Sequence, residues 1–230
     1  GSEVGGIWER LLCGQSGVGP ISLFDATGFP VRIAAEVRNW TIQDVGENPA
    51  LWTRHARQTQ FAFASALKAS RAAGLADAAI DPLRMGVFLG CGEIFPDFGG
   101  FCRAIAAATP GGTLAVEHFM SSSGHRAGPD DDLVLEPGAA AGCIAAALNA
   151  QGPNANFTAA CVSSAKAIGE AVEAIRRDDA DVMLCGGAHS MIHPFGITGF
   201  QRLSTLSMRN DEPQQASRPF DLRRDGFVVG

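Results

Sequence analysis

Cys161 lies in Thr158-Ala159-Ala160-Cys161-Val162-Ser163-Ser164-Ala165, where an apolar, strand-like run gives way to helix-forming residues. A cysteine at that elbow faces the free N–H groups and partial positive charge of a helix start. Both stabilise a thiolate and lower the thiol pKa. The same amides can hold a developing oxyanion, and the small neighbours Ala159, Ala160, Ser163 and Ser164 let a substrate reach the sulfur. The chemistry implied is acyl transfer through a covalent thioester. An inert cysteine in an Ala-rich segment fits as well, and on spacing alone it is the favoured reading.

Other constellations are weaker. Gly90-Cys91-Gly92 follows an apolar run, but no third glycine arrives at the dinucleotide spacing, and neither GxxxxGK[ST] nor GxSxG occurs. His189 and His193 are four apart, yet Gly186-Gly187 precede them and Pro194 follows, so a helical metal pair is disfavoured. His118 and His125 fall in an irregular stretch and read as exposed rather than catalytic. The Arg218–Arg224 stretch reads as a solvated turn held by local ion pairs.

These residues need a scaffold. Met85–Gly90 is a short apolar run bounded by glycine, as expected of a buried parallel strand. Asn154–Ala160 reads as a strand, Ser163–Arg177 as a helix and Asp181–Cys185 as a strand, which makes a βαβ unit in a parallel sheet. The apolar face of that helix is Ala165, Ile168, Val172 and Ile175, at steps of three and four. Helices are also expected over Ile7–Leu12, Trp52–Ala73 (stopped by Gly74) and Gly138–Leu148, and a strand over Val31–Val37. The span from Glu93 to Asp132, with the acidic run Asp130-Asp131-Asp132, reads as an irregular insert. The fold class is α/β.

Composition bounds the partners. Over 230 residues the chain is 46% hydrophobic and 18% charged with a formal net charge of −6, enough apolar content for a core. That charge argues against nucleic acid or an anionic membrane surface as a partner. No apolar run reaches the roughly 18 residues of a membrane span, and the start lacks the basic and apolar regions of a signal peptide. Six scattered cysteines without a CxxC pair fit a reducing cytoplasm, most of them as small core residues.

Several segments, in this order, resemble the β-ketoacyl-[acyl-carrier-protein] synthases, in particular the type II elongating branch. They are Phe24-Asp25-Ala26-Thr27-Gly28-Phe29-Pro30-Val31-Arg32, Thr158-Ala159-Ala160-Cys161 and Asp181-Val182-Met183-Leu184-Cys185-Gly186-Gly187-Ala188. Gly199-Phe200, Leu206-Ser207 with Arg209-Asn210-Asp211, and the run from Ala216 through Arg218-Pro219-Phe220-Asp221 to Asp225-Gly226-Phe227-Val228 complete the match. The resemblance spans nearly the whole chain and reverses the odds on Cys161. It implies a thiolase-like fold of layered helix, sheet and helix. It implies a decarboxylative condensation: Cys161 takes an acyl group from an acyl-carrier-protein thioester, and the carbanion from malonyl-carrier protein attacks it to give a 3-ketoacyl product. The Cys161 N–H would be half of the oxyanion hole.

By the same resemblance Phe200 lies near the acyl site, and Glu93 occupies an acyl-pocket position where the family tends to place an apolar residue. No cofactor is implied, because acyl groups arrive on the phosphopantetheine of acyl carrier protein. The implied partners are that carrier protein and a second copy of the chain in a homodimer. The chain starts after the family's first strand. It stops at Gly230, where the family continues into a half carrying two catalytic histidines, a lysine and a glycine-rich loop. The expectation is therefore an incomplete N-terminal β-ketoacyl synthase domain over 1–230, inactive in condensation by itself, with an insert over residues 93–133. A polyketide-type ketosynthase is the alternative within this chemistry. A chain-length-factor-like, non-condensing partner subunit is the alternative outside it, and the presence of Cys161 argues against that one.

Overall fold

A computed structural model of the chain describes residues 3–123 and 133–230. His125 and the acidic run Asp130–Asp132 lie outside the described residues. The chain divides into two compact units, one made of residues 1–41 and 190–230, the other of residues 42–189.

The first unit contains helix α1 (Val4–Leu12), two short strands, β1 (Gly19–Pro20) and β2 (Ile33–Ala34), and, late in the chain, a helix over Pro194–Arg202. β1 and β2 pair antiparallel. The expected strand over Val31–Val37 is thus cut to two residues. Glu36 instead turns its carboxylate onto the preceding loop, accepting from Ser22 N–H (2.8 Å), Ser22 Oγ–H (2.6 Å) and Leu23 N–H (3.1 Å). The core of this unit gathers Val31, Ile33, Ala34, Ile192, Ile197, Leu206, Ala216 and Val229. Asn210 ties its two chain segments together, donating to the Pro30 carbonyl and accepting from the Arg32 N–H, both at 2.8 Å. The Arg218–Arg224 turn is held as expected, with Arg218 and Arg223 both facing Asp221 at 3.8 Å.

The second unit is built on a three-stranded parallel sheet of β3 (Met85–Cys91), β4 (Asn154–Asn156) and β5 (Val182–Ala188), in the order β4-β3-β5. Every residue of the central strand is buried, as its unbroken apolar run requires. Helices α2 (Arg57–Ala72) and α5 (Ala139–Leu148) pack on each other and on the sheet, and α6 (Ser163–Arg176) packs on β3 and β5. α2 ends where Gly74 adopts φ +65°, a conformation glycine takes without strain.

Two expectations fail here. The stretch after Glu93 is not irregular throughout: it folds α3 (Phe98–Ala107) and α4 (Val116–Ser123), which pack together through Phe101 and Phe119, ring centroids 6.2 Å apart. Asp97 caps α3 by accepting from the Gly100 N–H. The second failure concerns α6. Its apolar face of Ala165, Ile168, Val172 and Ile175 is exposed, and the sheet is met by Ala167, Ala171 and Ala174, each at most 2% exposed. Alanine lets the helix approach the strands closely, and Phe88 fills the space beneath it. The remaining helix, α7 (Pro194–Arg202), is capped by His193, whose Nδ1 accepts from the Phe195 N–H at 3.2 Å.

Candidate functional site

Parallel sheets bind ligands beyond the C-terminal ends of their strands. At that end, β4 runs into Thr158 and then into a single 3₁₀ turn, Ala160–Val162, that opens α6. Cys161 sits in this turn with its residue exposed. Ala160, the residue before it, has φ +50°, a left-handed conformation that costs a non-glycine residue about 1 kcal/mol or more. Such strain persists only where the surroundings hold it.

Ser163 does much of the holding. Its Oγ accepts from the Ala159 N–H (2.8 Å) and donates to the Ala160 carbonyl (2.7 Å), bracing the turn from within. Thr158 fastens the turn to the sheet by donating from Oγ1 to the Cys91 carbonyl at 3.0 Å. Asn156 accepts from the Cys91 N–H (3.0 Å) and donates to the Cys91 carbonyl (3.1 Å). Gln58, 3% exposed, donates to the Gly92 carbonyl at 3.0 Å. The end of β3 and the approach to Cys161 therefore form one hydrogen-bonded platform.

Two glycines bring α6 down onto that platform. A Cβ at Gly90 would overlap the backbone of Ser163 and Ser164. One at Gly187, its register partner on β5, would stand 2.8 Å from the Ser164 Cβ and 2.6 Å from the Gly90 carbonyl oxygen. Only glycine at these positions lets the helix start sit directly over the strands. The first turn of α6 has no side-chain cap, so its N–H groups and dipole face the region of Cys161.

The other cysteines differ in setting. Cys91 is fully buried and Cys143 half-buried, and burial pushes both thiols up, which keeps them protonated and poorly nucleophilic. Cys13, Cys102, Cys161 and Cys185 are exposed, so most cysteines are not the core residues expected of them. Of these four, Cys161 alone sits at a strained strand-to-helix turn.

Glu93 lies just beyond the end of β3, exposed, two residues past the carbonyl that Thr158 grips. The platform thus brings Glu93 and Cys161 to the same end of one sheet. Phe200 belongs to the first unit, on α7. There it packs half-buried against the core and meets Phe227 edge-on at 5.2 Å. His189, passed over as a metal-pair member, follows the last residue of β5, and its ring rests against Gly92. Its place was legible only through the pairing of β3 with β5, which no local pattern encodes.

The family model described as "Beta-ketoacyl synthase, N-terminal domain" matches residues 1–230. The 3-oxoacyl-[acyl-carrier-protein] synthase 2 of Coxiella burnetii is 37% identical over all of this chain and 52% of its own length. The granaticin polyketide putative beta-ketoacyl synthase 1 of Streptomyces violaceoruber is 34% identical over all of this chain and 52% of its own. Among solved structures, a beta-ketoacyl synthase from Burkholderia phymatum superposes with a TM-score of 0.79 at 26% identity, over 99% of this chain and 53% of that one. The chain spans about half the length of these relatives.

Proposed function

Because this chain belongs to the β-ketoacyl synthase family and has its thiolase-like α/β fold, we propose that it supplies the nucleophile of a decarboxylative condensing enzyme. The observation that carries the reading is Cys161: an exposed thiol, held at a strained turn, at an uncapped helix start over the C-terminal end of a parallel sheet. The Cys161 thiolate attacks the carbonyl of an acyl-carrier-protein thioester. A new carbon–sulfur bond forms, the old one breaks, and the phosphopantetheine thiolate leaves and takes up a proton. Malonyl thioester then loses carbon dioxide, and the electron pair left on its methylene carbon attacks the acyl-Cys161 carbonyl. The carbon–carbon bond forms, the Cys161 thiolate departs, and a 3-ketoacyl thioester is released. The first-turn amides of α6, with the Cys161 N–H, stabilise the oxyanion of both tetrahedral intermediates.

The name of the Coxiella relative, a 3-oxoacyl-[acyl-carrier-protein] synthase, supports a carrier-protein partner, and the setting we propose is fatty-acid elongation. The granaticin relative, nearly as similar, favours a second setting, polyketide assembly by the same chemistry. We further propose that Phe200 and Glu93 border the acyl group, that no bound cofactor is needed, and that the enzyme works as a homodimer in the cytoplasm. Among the described residues no helix is long and apolar enough to cross a membrane.

Incubating the natural full-length protein with acyl-carrier protein carrying an acyl thioester tests the reading. The product expected is one acyl group on the peptide containing Cys161, removed by added malonyl thioester with release of carbon dioxide. Acylation that persists in Cys161→Ala overturns the assignment.

A further inference from the structure

β3 and β4 pair in register, Val87 with Asn154, Phe88 with Ala155 and Leu89 with Asn156. In a parallel ladder the bonds are evenly spaced and recur at every second residue. Here the Val87 N–H donates to the Pro153 carbonyl at 2.9 Å, and further along the Phe157 N–H donates to the Leu89 carbonyl at 2.7 Å. The next rung would join the Cys91 N–H to the Phe157 carbonyl and the Ala159 N–H to the Cys91 carbonyl. Side chains take its place. The Cys91 N–H donates to Asn156 Oδ1 at 3.0 Å, and the Cys91 carbonyl accepts from Asn156 Nδ2 at 3.1 Å and from Thr158 Oγ1 at 3.0 Å. The Ala159 N–H donates to Ser163 Oγ at 2.8 Å. Asn156 Nδ2 also donates to Thr158 Oγ1 at 3.1 Å, so both side chains and the Cys91 main chain close a ring of hydrogen bonds.

The main chain is thereby released from β3 before it reaches Ala160, whose φ of +50° no continuing strand could adopt. We propose that Asn156 and Thr158 are positioning residues for Cys161: by occupying Cys91 they deny the ladder its next rung and hold the chain on the path to the helix start. Cys91 is fully buried, so a main-chain group stripped of its side-chain partner must find another. Its register neighbours at 157 and 159 can supply one. Closing that rung draws Ala159 off Ser163, relieves the left-handed conformation at Ala160 and takes Cys161 out of its turn. The inference deepens the proposed function and rests on Cys161 being the acyl acceptor.

The test uses the natural full-length protein as wild type, Thr158→Val, Thr158→Ser and Asn156→Leu. The first readout is acylation by butyryl-pantetheine, in which the Cys161 sulfur displaces the pantetheine thiol and intact mass spectrometry follows the adduct. The second is limited iodoacetamide labelling, read as the ratio of Cys161 to the exposed Cys102, with the buried Cys91 reporting unfolding. Thr158→Val and Asn156→Leu are expected to slow acylation at least about tenfold and to shift the labelling ratio while Cys91 stays unmodified. Thr158→Ser keeps the hydroxyl and is expected to retain the wild-type rate and ratio. A wild-type rate and ratio in both Thr158→Val and Asn156→Leu overturns the inference while leaving Cys161 as the acceptor. So does a loss that comes with labelling of Cys91, or one that Thr158→Ser shares with Thr158→Val. Failure of wild type to take the acyl group on Cys161 overturns the proposed function beneath it, and the inference with it.

Discussion

At the scale of single residues, the turn that carries Cys161 is held by the hydroxyls of its neighbours Ser163 and Thr158. The Ser163 hydroxyl joins the Ala159 N–H to the Ala160 carbonyl across the strained turn. Ser163→Ala removes both bonds and leaves a 6%-exposed position without them, at a cost of about 1–2 kcal/mol. Urea denaturation should show that loss, and iodoacetamide should modify Cys161 in the variant at a rate different from wild type. A second residue-scale prediction concerns Glu36, whose side chain is 1% exposed. Burial pushes its carboxyl up, but hydrogen bonds from the Ser22 side chain, the Ser22 and Leu23 N–H groups and Arg38 outweigh this and hold it below the usual carboxylate range. A carboxyl depressed in the folded state stabilises fully above the unfolded value of roughly 4.3 and loses that contribution as pH falls through the folded value. Glu36→Gln should therefore have a lower urea midpoint than wild type at pH 7, and the gap should shrink on acidification. A gap that is constant with pH contradicts the assignment.

Among elements, the contact of α6 with β3 and β5 governs the site. Gly90→Ala places a methyl group inside the backbone of Ser163 and Ser164, which must then lift from the sheet. The expected destabilisation is about 2 kcal/mol or more, with slower acylation of Cys161. Gly90→Ala with wild-type stability and acylation contradicts this packing. The same contact explains what the sequence could and could not disclose. The buried run of β3, the helix over 163–176 and the elbow at Cys161 are local patterns, and they were legible. The inward face of α6 was not. Its most apolar stripe, Ile168, Val172 and Ile175, is 46%, 42% and 47% exposed, while alanine, which barely registers in a periodicity, makes the contact. α3 and α4 were hidden because Gly99-Gly100 and Pro110-Gly111-Gly112 break any helical rhythm, although Asp97 and the alanines at 104 and 106–108 supply a cap and a body. The strand at 33–34 gives way to Glu36, whose carboxylate turns onto the Ser22–Leu23 loop, and β4 ends at Asn156, whose side chain grips the Cys91 backbone at the end of β3.

For the molecule as a whole, each of the two units has its own core, and the second carries an apolar face with no cover among the described residues. The Ile168–Val172–Ile175 stripe of α6 is exposed, and so is Val162, at 61%, in the turn before the helix. Contiguous apolar surface of this kind marks an interaction face. The 230-residue chain expressed alone is expected to self-associate, and the double variant Ile168→Glu/Val172→Glu to remain monomeric, as light scattering after size exclusion can check. A monomeric wild-type chain contradicts the expectation. The proposed chemistry requires that Cys161 is acylated and then attacked by a carbanion. The most direct measurement is peptide-resolved mass spectrometry of the natural full-length protein after incubation with an acyl-carrier-protein thioester, before and after malonyl thioester is added. The expected result is an acyl group on Cys161 alone, lost on malonyl addition as a 3-ketoacyl thioester appears. An acyl group on any other residue, or a Cys161 adduct that malonyl thioester leaves in place, would contradict it.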